Sequence, residues 1–595
     1  MVQAQYDDLA ARCINYSPPP DIDSIGPKAT GSEDPITFMK GHLKEVEEAY
    51  AMERKRLLQQ EKDLDFTSRC CANATEREQL VDQMFRDFRE RDEQMFKSQP
   101  PRPGHGGQQH HRFSGDHYLS NVDLIPKTAL YHVAKQFPKG AHLHVHFNAC
   151  LPPSFLLDLA AKMDRMFITG DVALTPANLQ KCQIQFSIKS EEDEKVVSGP
   201  KKIFSEDCNG DRGWSMKLSK FLEQSKDHFS GLEPMKWLQT KVEFDEEEAH
   251  DLPQTVEGAW ELFNKRTRLM KGLFNYEKAF RAYIQAFCQD LEEDKILYAE
   301  VRITFMESNY LFSDDGKQRK DNVEIMRIFA EELDKFKANL TDETAFHHVK
   351  VIYCTPRSMD PEKIQAGLEE CIKLKETWPG LIAGYDVVGQ EGPAKLVSYP
   401  LKKFAPQFLL FRKTCRMKGL DIPFLFHCGE TLETGTSTDG NLVDAVLLGA
   451  KRIAHAFALT KHPHMMQLMK AKGVCVELCP ISNEVLGLTP RVAGHSMYSL
   501  LANNVHCTIN SDNGTLFRSS LSHDYYQTMV GRNDLGLFGL KQLSLWSIQH
   551  ACLEDDEKKQ LLEKWEEQWA DYLVRMTDKP DSLMMPGEMD ESPAK

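Results

Sequence analysis

No apolar run in this chain reaches the roughly 18–20 residues that a membrane-crossing helix needs. The opening stretch, MVQAQYDDLAARCINYS, has no basic cap followed by an apolar core, so no signal peptide is expected and the chain reads as cytoplasmic. Basic charge is scarce as well: 73 Lys and Arg stand against 89 Asp and Glu, a net charge of −16. That balance excludes a broad nucleic-acid surface and suits a soluble protein acting on a neutral or weakly charged small molecule. Cysteine is not lacking, with 15 in 595 residues, but the number is odd and the positions are scattered, several within apolar runs such as VCVELCP and VHCTIN. Neither Cys70–Cys71 nor the pair Cys475 and Cys479 has zinc-finger spacing, so reduced thiols in a reducing compartment are expected.

What is present falls into zones. Residues 1–33 and 579–595 read as flexible tails. Residues 34–97, as in HLKEVEEAYAMERKRLLQQEKDLDF, repeat their apolar positions at three and four. This predicts a helical extension, either packed on the main body or serving as the arm of a homodimer. SQPPRPGHGGQQHHRFSG (98–115) reads as a linker. Its His105, His110 and His111 read as solvated, because a mobile linker loses ordering entropy when it holds a metal. Residues 116–578 alternate short β-branched and aromatic runs with helical ones. Eight candidate strands stand out: 141–148, 295–303, 349–355, 382–388, 423–428, 452–457, 474–478 and 506–511. Near-continuous apolar strands separated by helices predict an α/β parallel sheet, and eight units predict a closed (β/α)8 TIM-type barrel. An open doubly wound sheet is the alternative, but no Gly-x-Gly-x-x-Gly follows the first strand. A polar, partly strand-like piece (166–213) reads as an insertion after strand one.

The first strand carries His142, His144 and His146 at every second position, so all three share a face. The fifth ends FHCGET, presenting His427 with Glu430 three residues on; the sixth ends RIAHAF, presenting His455; the eighth ends TINSDNG, presenting Asp512. Four strand ends thus converge on the face where barrel active sites are built. Three neutral imidazoles and one carboxylate suit Zn²⁺ with a position left open for water.

PKGAHLHVHFNA, HCGET, KRIAHAF and NSDNG resemble the signatures of the adenosine deaminase family of metal-dependent hydrolases. With EVRI, YCTPRSMD and ELCPISNEVL the chain is most similar to the adenosine deaminase-like growth factor branch, over roughly residues 125–575. The resemblance implies that His144, His146, His427 and Asp512 bind one zinc per chain, that Glu430 protonates purine N1 and that His455 lies beside the attacking water. It implies that Gly389 contacts the base through its backbone and that Trp214 faces the nucleoside. His142 has no counterpart among the ligands and is expected one layer deeper, hydrogen-bonded and structural. Asn148 and Asn513 stand where the family has aspartates that contact ribose and purine N7, and Gly514 stands where it has proline. These departures leave the exact substrate open.

The chemistry agrees. Water displaces an amino group from a purine only if it is made nucleophilic, the task of zinc, and if N1 is protonated as C6 becomes tetrahedral, the task of Glu430. The expectation is zinc-dependent hydrolysis of adenosine or 2′-deoxyadenosine to the inosine form. The partner is then a small purine nucleoside, with no nucleic acid and no membrane. Alternatives are the same reaction on N6-substituted adenosine, adenine or AMP, or a non-catalytic nucleoside-binding or signalling protein. The lack of an obvious Arg/Lys cluster in the sequence weighs against AMP, and the intact Glu430 and His455 weigh against a mere binder.

Overall fold

The structure is a computed structural model that describes residues 20–28, 34–104, 106–197, 203–204, 214–229, 231–251, 253–392 and 398–578. The tails expected at 1–33 and 579–595, apart from residues 20–28, lie outside the described residues, as does His105.

Runs rich in Val, Ile, Leu, Tyr and Phe form eight strands: β1 (Gly140–His146), β2 (Ile296–Thr304), β3 (His348–Pro356), β4 (Ile382–Val388), β5 (Leu425–Cys428), β6 (Arg452–His455), β7 (Cys475–Leu478) and β8 (Cys507–Ile509). They are buried along almost their whole length, as strands covered on both faces must be. Each pairs in parallel with the next within β1 to β4 and within β5 to β8. The two runs also touch at both edges, through parallel bridges from Val145 to Asp512 and from Tyr385 to Phe424. Backbone hydrogen bonds at the same places, His146 N–H to Asp512 O and Tyr385 N–H to Pro423 O, are each 2.9 Å long.

Helices connect the parallel strands, and their limits are written in local chemistry. Pro361–Thr377 starts at Asp360, whose carboxylate accepts from Lys363 N–H, with Pro361 as its first residue. Ala405–Lys418 and Pro463–Lys472 stop at Gly419 and Gly473, both left-handed at φ +67°. The sixth strand ends earlier than the sequence suggested, because His455 and Ala456 take φ values of +61° and +43° and turn the chain out of the sheet.

Between β1 and β2 stands an antiparallel sheet of three strands, with Met166–Gly170 between Ile184–Ile188 and Trp214–Lys217. The long helix Val256–Phe274 lies hard against it: a Cβ on Gly272 would sit 1.9 Å from Phe186 O. Only glycine permits that approach.

The two long helices before the parallel strands differ. Leu43–Leu64 has no buried residue. Glu76–Ser98 buries Val81, Phe85, Phe88 and Phe96, and its Asp92 accepts from the N–H groups of Ala129 and Leu130 at 2.8 and 2.9 Å. Asp82 accepts likewise from Leu537 N–H. The expected linker contains a short hairpin, Arg102–Pro103 against Gln109–His110. No described helix is long and apolar enough to cross a membrane.

Candidate active site

The C-terminal ends of β1, β5 and β8 bring four side chains together. The ligand atoms of His144, His146, His427 and Asp512 all lie within 4.8 Å of one another. Asp512 Oδ1 is 3.3 Å from His144 Nε2 and 3.2 Å from His146 Nε2. Two imidazoles are oriented from behind. His144 Nδ1 lies 2.9 Å from Glu477 Oε2 and His427 Nδ1 lies 2.6 Å from Asp386 Oδ2. Carboxylates accept, so each Nδ1 carries the proton and each Nε2 lone pair faces the centre, the arrangement that prepares histidine for a metal. His144 Nε2 is buried with no hydrogen-bond partner among the described residues. Donor set and orphaned nitrogen both fit a divalent ion.

The carboxylates behind the histidines belong to a buried ionic chain that sequence inspection missed. Arg302 joins Asp386 and Glu477 at 2.8 and 2.7 Å, and Arg452 joins Glu477 and Glu300 at 2.6 and 2.5 Å. Burial pushes the Glu477 carboxyl up, but Arg302 and Arg452 outweigh it and hold the group below its usual range. Asp386 is likewise held low: burial is outweighed by His427 and Arg302. Losing one member would strand a buried charge, at a cost of about 3–5 kcal/mol.

Asp512 and His455 share an uncommon backbone, with φ of +59° and +61°. Such strain in a non-glycine residue costs about 1–3 kcal/mol and gathers at functional sites. Ser482 donates to Asp512 Oδ2 at 2.7 Å. A second hydrogen-bond chain fixes His455. Met497 N–H donates to His495 Nδ1 at 3.0 Å, and burial pushes His495 down to about 3, so this neutral ring keeps its proton on Nε2. Nε2 then donates to Asn483 Oδ1 at 2.9 Å, which turns the Asn483 amide so that its Nδ2 donates to His455 Nδ1 at 3.1 Å. Neutral His455 must therefore carry its proton on Nε2, a buried atom with no partner among the described residues. Close by, Glu430 Oε1 is 3.5 Å from His455 Nδ1. Burial, then the charges of Asp512 and Glu391, push the Glu430 carboxyl well above its usual value.

These groups open on one cavity of about 380 Å³. His146, His427, Glu430, His455 and Asp512 are among its lining, and Trp260, Phe263 and Phe274 supply apolar lining.

A family model described as adenosine deaminase matches residues 242–568, more than half of the chain. The chain belongs to the adenosine deaminase family. It is 29% identical over 481 residues to the adenosine deaminase 2 of Sus scrofa, spanning 78% of this chain and 84% of that protein. It is also 29% identical over 475 residues to an adenosine deaminase of Aedes albopictus, spanning 77% and 78%. A solved Arabidopsis N6-mAMP deaminase is similar at 17% identity, with a TM-score of 0.48, over 73% of this chain and 99% of that one. As a member of the adenosine deaminase family the chain is an aminohydrolase.

Of the residues expected to meet substrate, Asn148, Gly389 and Asn513 line the cavity. Gly389 has φ +111°, which favours glycine. Asn513 Nδ2 donates to Asp512 Oδ1 at 2.7 Å, so part of its donor capacity goes to a member of the four-residue cluster. Trp214, expected to face the nucleoside, pairs with Gly170 at the start of its strand and packs on the hydrophobic core, and it is not among the residues that line this cavity. The tryptophan in the lining is Trp260, presented by helix Val256–Phe274. His142 lies below the ligands, where Ser511 N–H donates to its Nε2 at 3.1 Å.

Proposed function

We propose that this aminohydrolase converts adenosine and 2′-deoxyadenosine to inosine and 2′-deoxyinosine with release of ammonia, using one zinc ion per chain. One observation carries the proposal: a three-histidine, one-aspartate centre opens on the same cavity as the buried carboxyl of Glu430. His144, His146, His427 and Asp512 hold the zinc. Bound there, zinc supplies water that is nucleophilic near neutral pH. Glu430 delivers its proton to purine N1, which makes C6 open to attack. His455, with its proton on Nε2, holds the attacking water by donating to it; the orientation imposed by Asn483 supports this role. Gly389 and Asn513 position the base, and Asn148 the ribose.

We further propose that the eight strands close as a (β/α)8 barrel, supported by the bridges at both edges, and that the three-stranded sheet is an insertion on it. The helix Leu43–Leu64, with Leu43, Val46, Tyr50, Leu57 and Leu58 exposed, is the proposed homodimer contact. A cytoplasmic site is supported by thirteen described cysteines, all unpaired.

Elemental analysis tests the metal centre. One zinc per chain is expected in the parent, and His427→Ala is expected to lose it while keeping the parent's circular dichroism. A zinc-saturated preparation that retains no metal would overturn the proposal.

A further inference from the structure

The cavity is charged unevenly. Its acidic lining residues are Glu430 and Asp512, both 4% exposed or less, on the floor. Two cations line its solvent side: Arg268, which is exposed, and Lys271, which is half-buried. They stand three apart on helix Val256–Phe274, on the same stripe as Trp260, Phe263, Asn264 and Thr267. Among the described residues, neither forms an ion pair with a carboxylate; Lys271 Nζ donates to Ser308 Oγ at 2.7 Å. Arg319 adds a third positive charge near Lys271, held over the rings of Tyr310 and Phe312 and donating to Glu307 O. Of the other two cations of the lining, Arg302 is committed to Asp386 and Glu477, and Arg357, which is buried, donates from Nη2 to His427 O at 2.7 Å and lies near Glu430 on the floor. In a chain with 89 acidic residues, unneutralised positive charge gathered at a cavity mouth calls for an anion from outside.

The chemistry of the substrate says which anion. In a 6-aminopurine nucleoside the C6 amino group and the ribose 5′ oxygen lie at opposite ends. With C6 at the metal end, whatever the 5′ oxygen carries faces the mouth. We infer that the cavity takes 5′-phosphate monoesters of 6-aminopurine nucleosides, with Lys271 and Arg268 holding the phosphate. This rests on the deamination proposed above and adds the anionic group of its substrate. Lysine acts there as a point charge and arginine as a fork of donors. The sequence concealed the pair because the two cations come together only once the helix turns.

The test compares kcat/KM for adenosine and adenosine 5′-monophosphate in the zinc-loaded full chain, with calorimetric affinities for inosine and inosine 5′-monophosphate alongside. The monophosphates are expected to be favoured about tenfold or more, as for a charge-assisted hydrogen bond. That preference is expected to shrink with added salt and to fall about tenfold in Lys271→Gln and in Arg268→Gln. Turnover of adenosine with no monophosphate preference in the parent would overturn the phosphate site and leave the deamination standing. Absence of ammonia from both compounds would instead remove the deamination. In that event the calorimetry still decides the site: inosine 5′-monophosphate binding no tighter than inosine would overturn it.

Discussion

In the proposed reaction Glu430 is a proton donor at neutral pH, although glutamate is ordinarily ionised there. Burial first, then the nearby charges of Asp512 and Glu391, supply the shift, and Arg357 opposes it. The sign follows directly. The acid form is the active one, so kcat/KM should stay level from mildly acidic through neutral pH and decline as pH rises through the elevated Glu430 value. A pH profile of adenosine turnover checks this, and activity already falling between about pH 4 and 5, the ordinary range for glutamate, would contradict the assignment. At the same scale, His144, His146, His427, Glu430, His455 and Asp512 were legible in the sequence because each ends a strand beside a short, recognisable motif. Glu300, Arg302, Asp386, Arg452 and Glu477 were not. Their partners lie 25 to 175 residues away, and a charge inside an apolar strand carries no local sign of its mate. Asn483 and His495 escaped for the same reason: their role exists only through the hydrogen-bond chain that ends at His455.

Among the elements, the strands were readable from their apolar runs, and the error of extent at β6 came from two left-handed residues that no hydropathy pattern reports. The N-terminal helices had the same narrow stripe and different fates. Helix Glu76–Ser98 is stitched to the body by Phe85, Phe88 and Phe96, by Asp82 and Asp92 at two helix starts, and by Arg89 donating to Met529 O. Proteolysis at the exposed residues 106–108 is therefore expected to leave both pieces associated. Denaturing gels should show two fragments while size-exclusion chromatography shows one species at the parent's elution volume. Fragments that separate without denaturant would show that this helix is not part of the core.

For the whole molecule, the parallel order of strands matters more than any single contact. It points the ends of β1, β5, β6 and β8 toward one cavity, so residues almost 370 positions apart, His144 and Asp512, become neighbours. The buried ionic chain beneath them fixes the imidazoles, and in a chain of net charge −16 the cations Arg268 and Lys271 in the cavity lining stand as an exception. The most direct measurement is ammonia released from adenosine and 2′-deoxyadenosine by the zinc-loaded parent and by Glu430→Gln, with zinc content determined in both. The parent should release one ammonia per inosine formed, and the variant should keep its zinc yet lose about 10²–10⁴-fold in kcat/KM, the usual worth of general acid catalysis. A parent that binds zinc but frees no ammonia, or a variant as active as the parent, would contradict it.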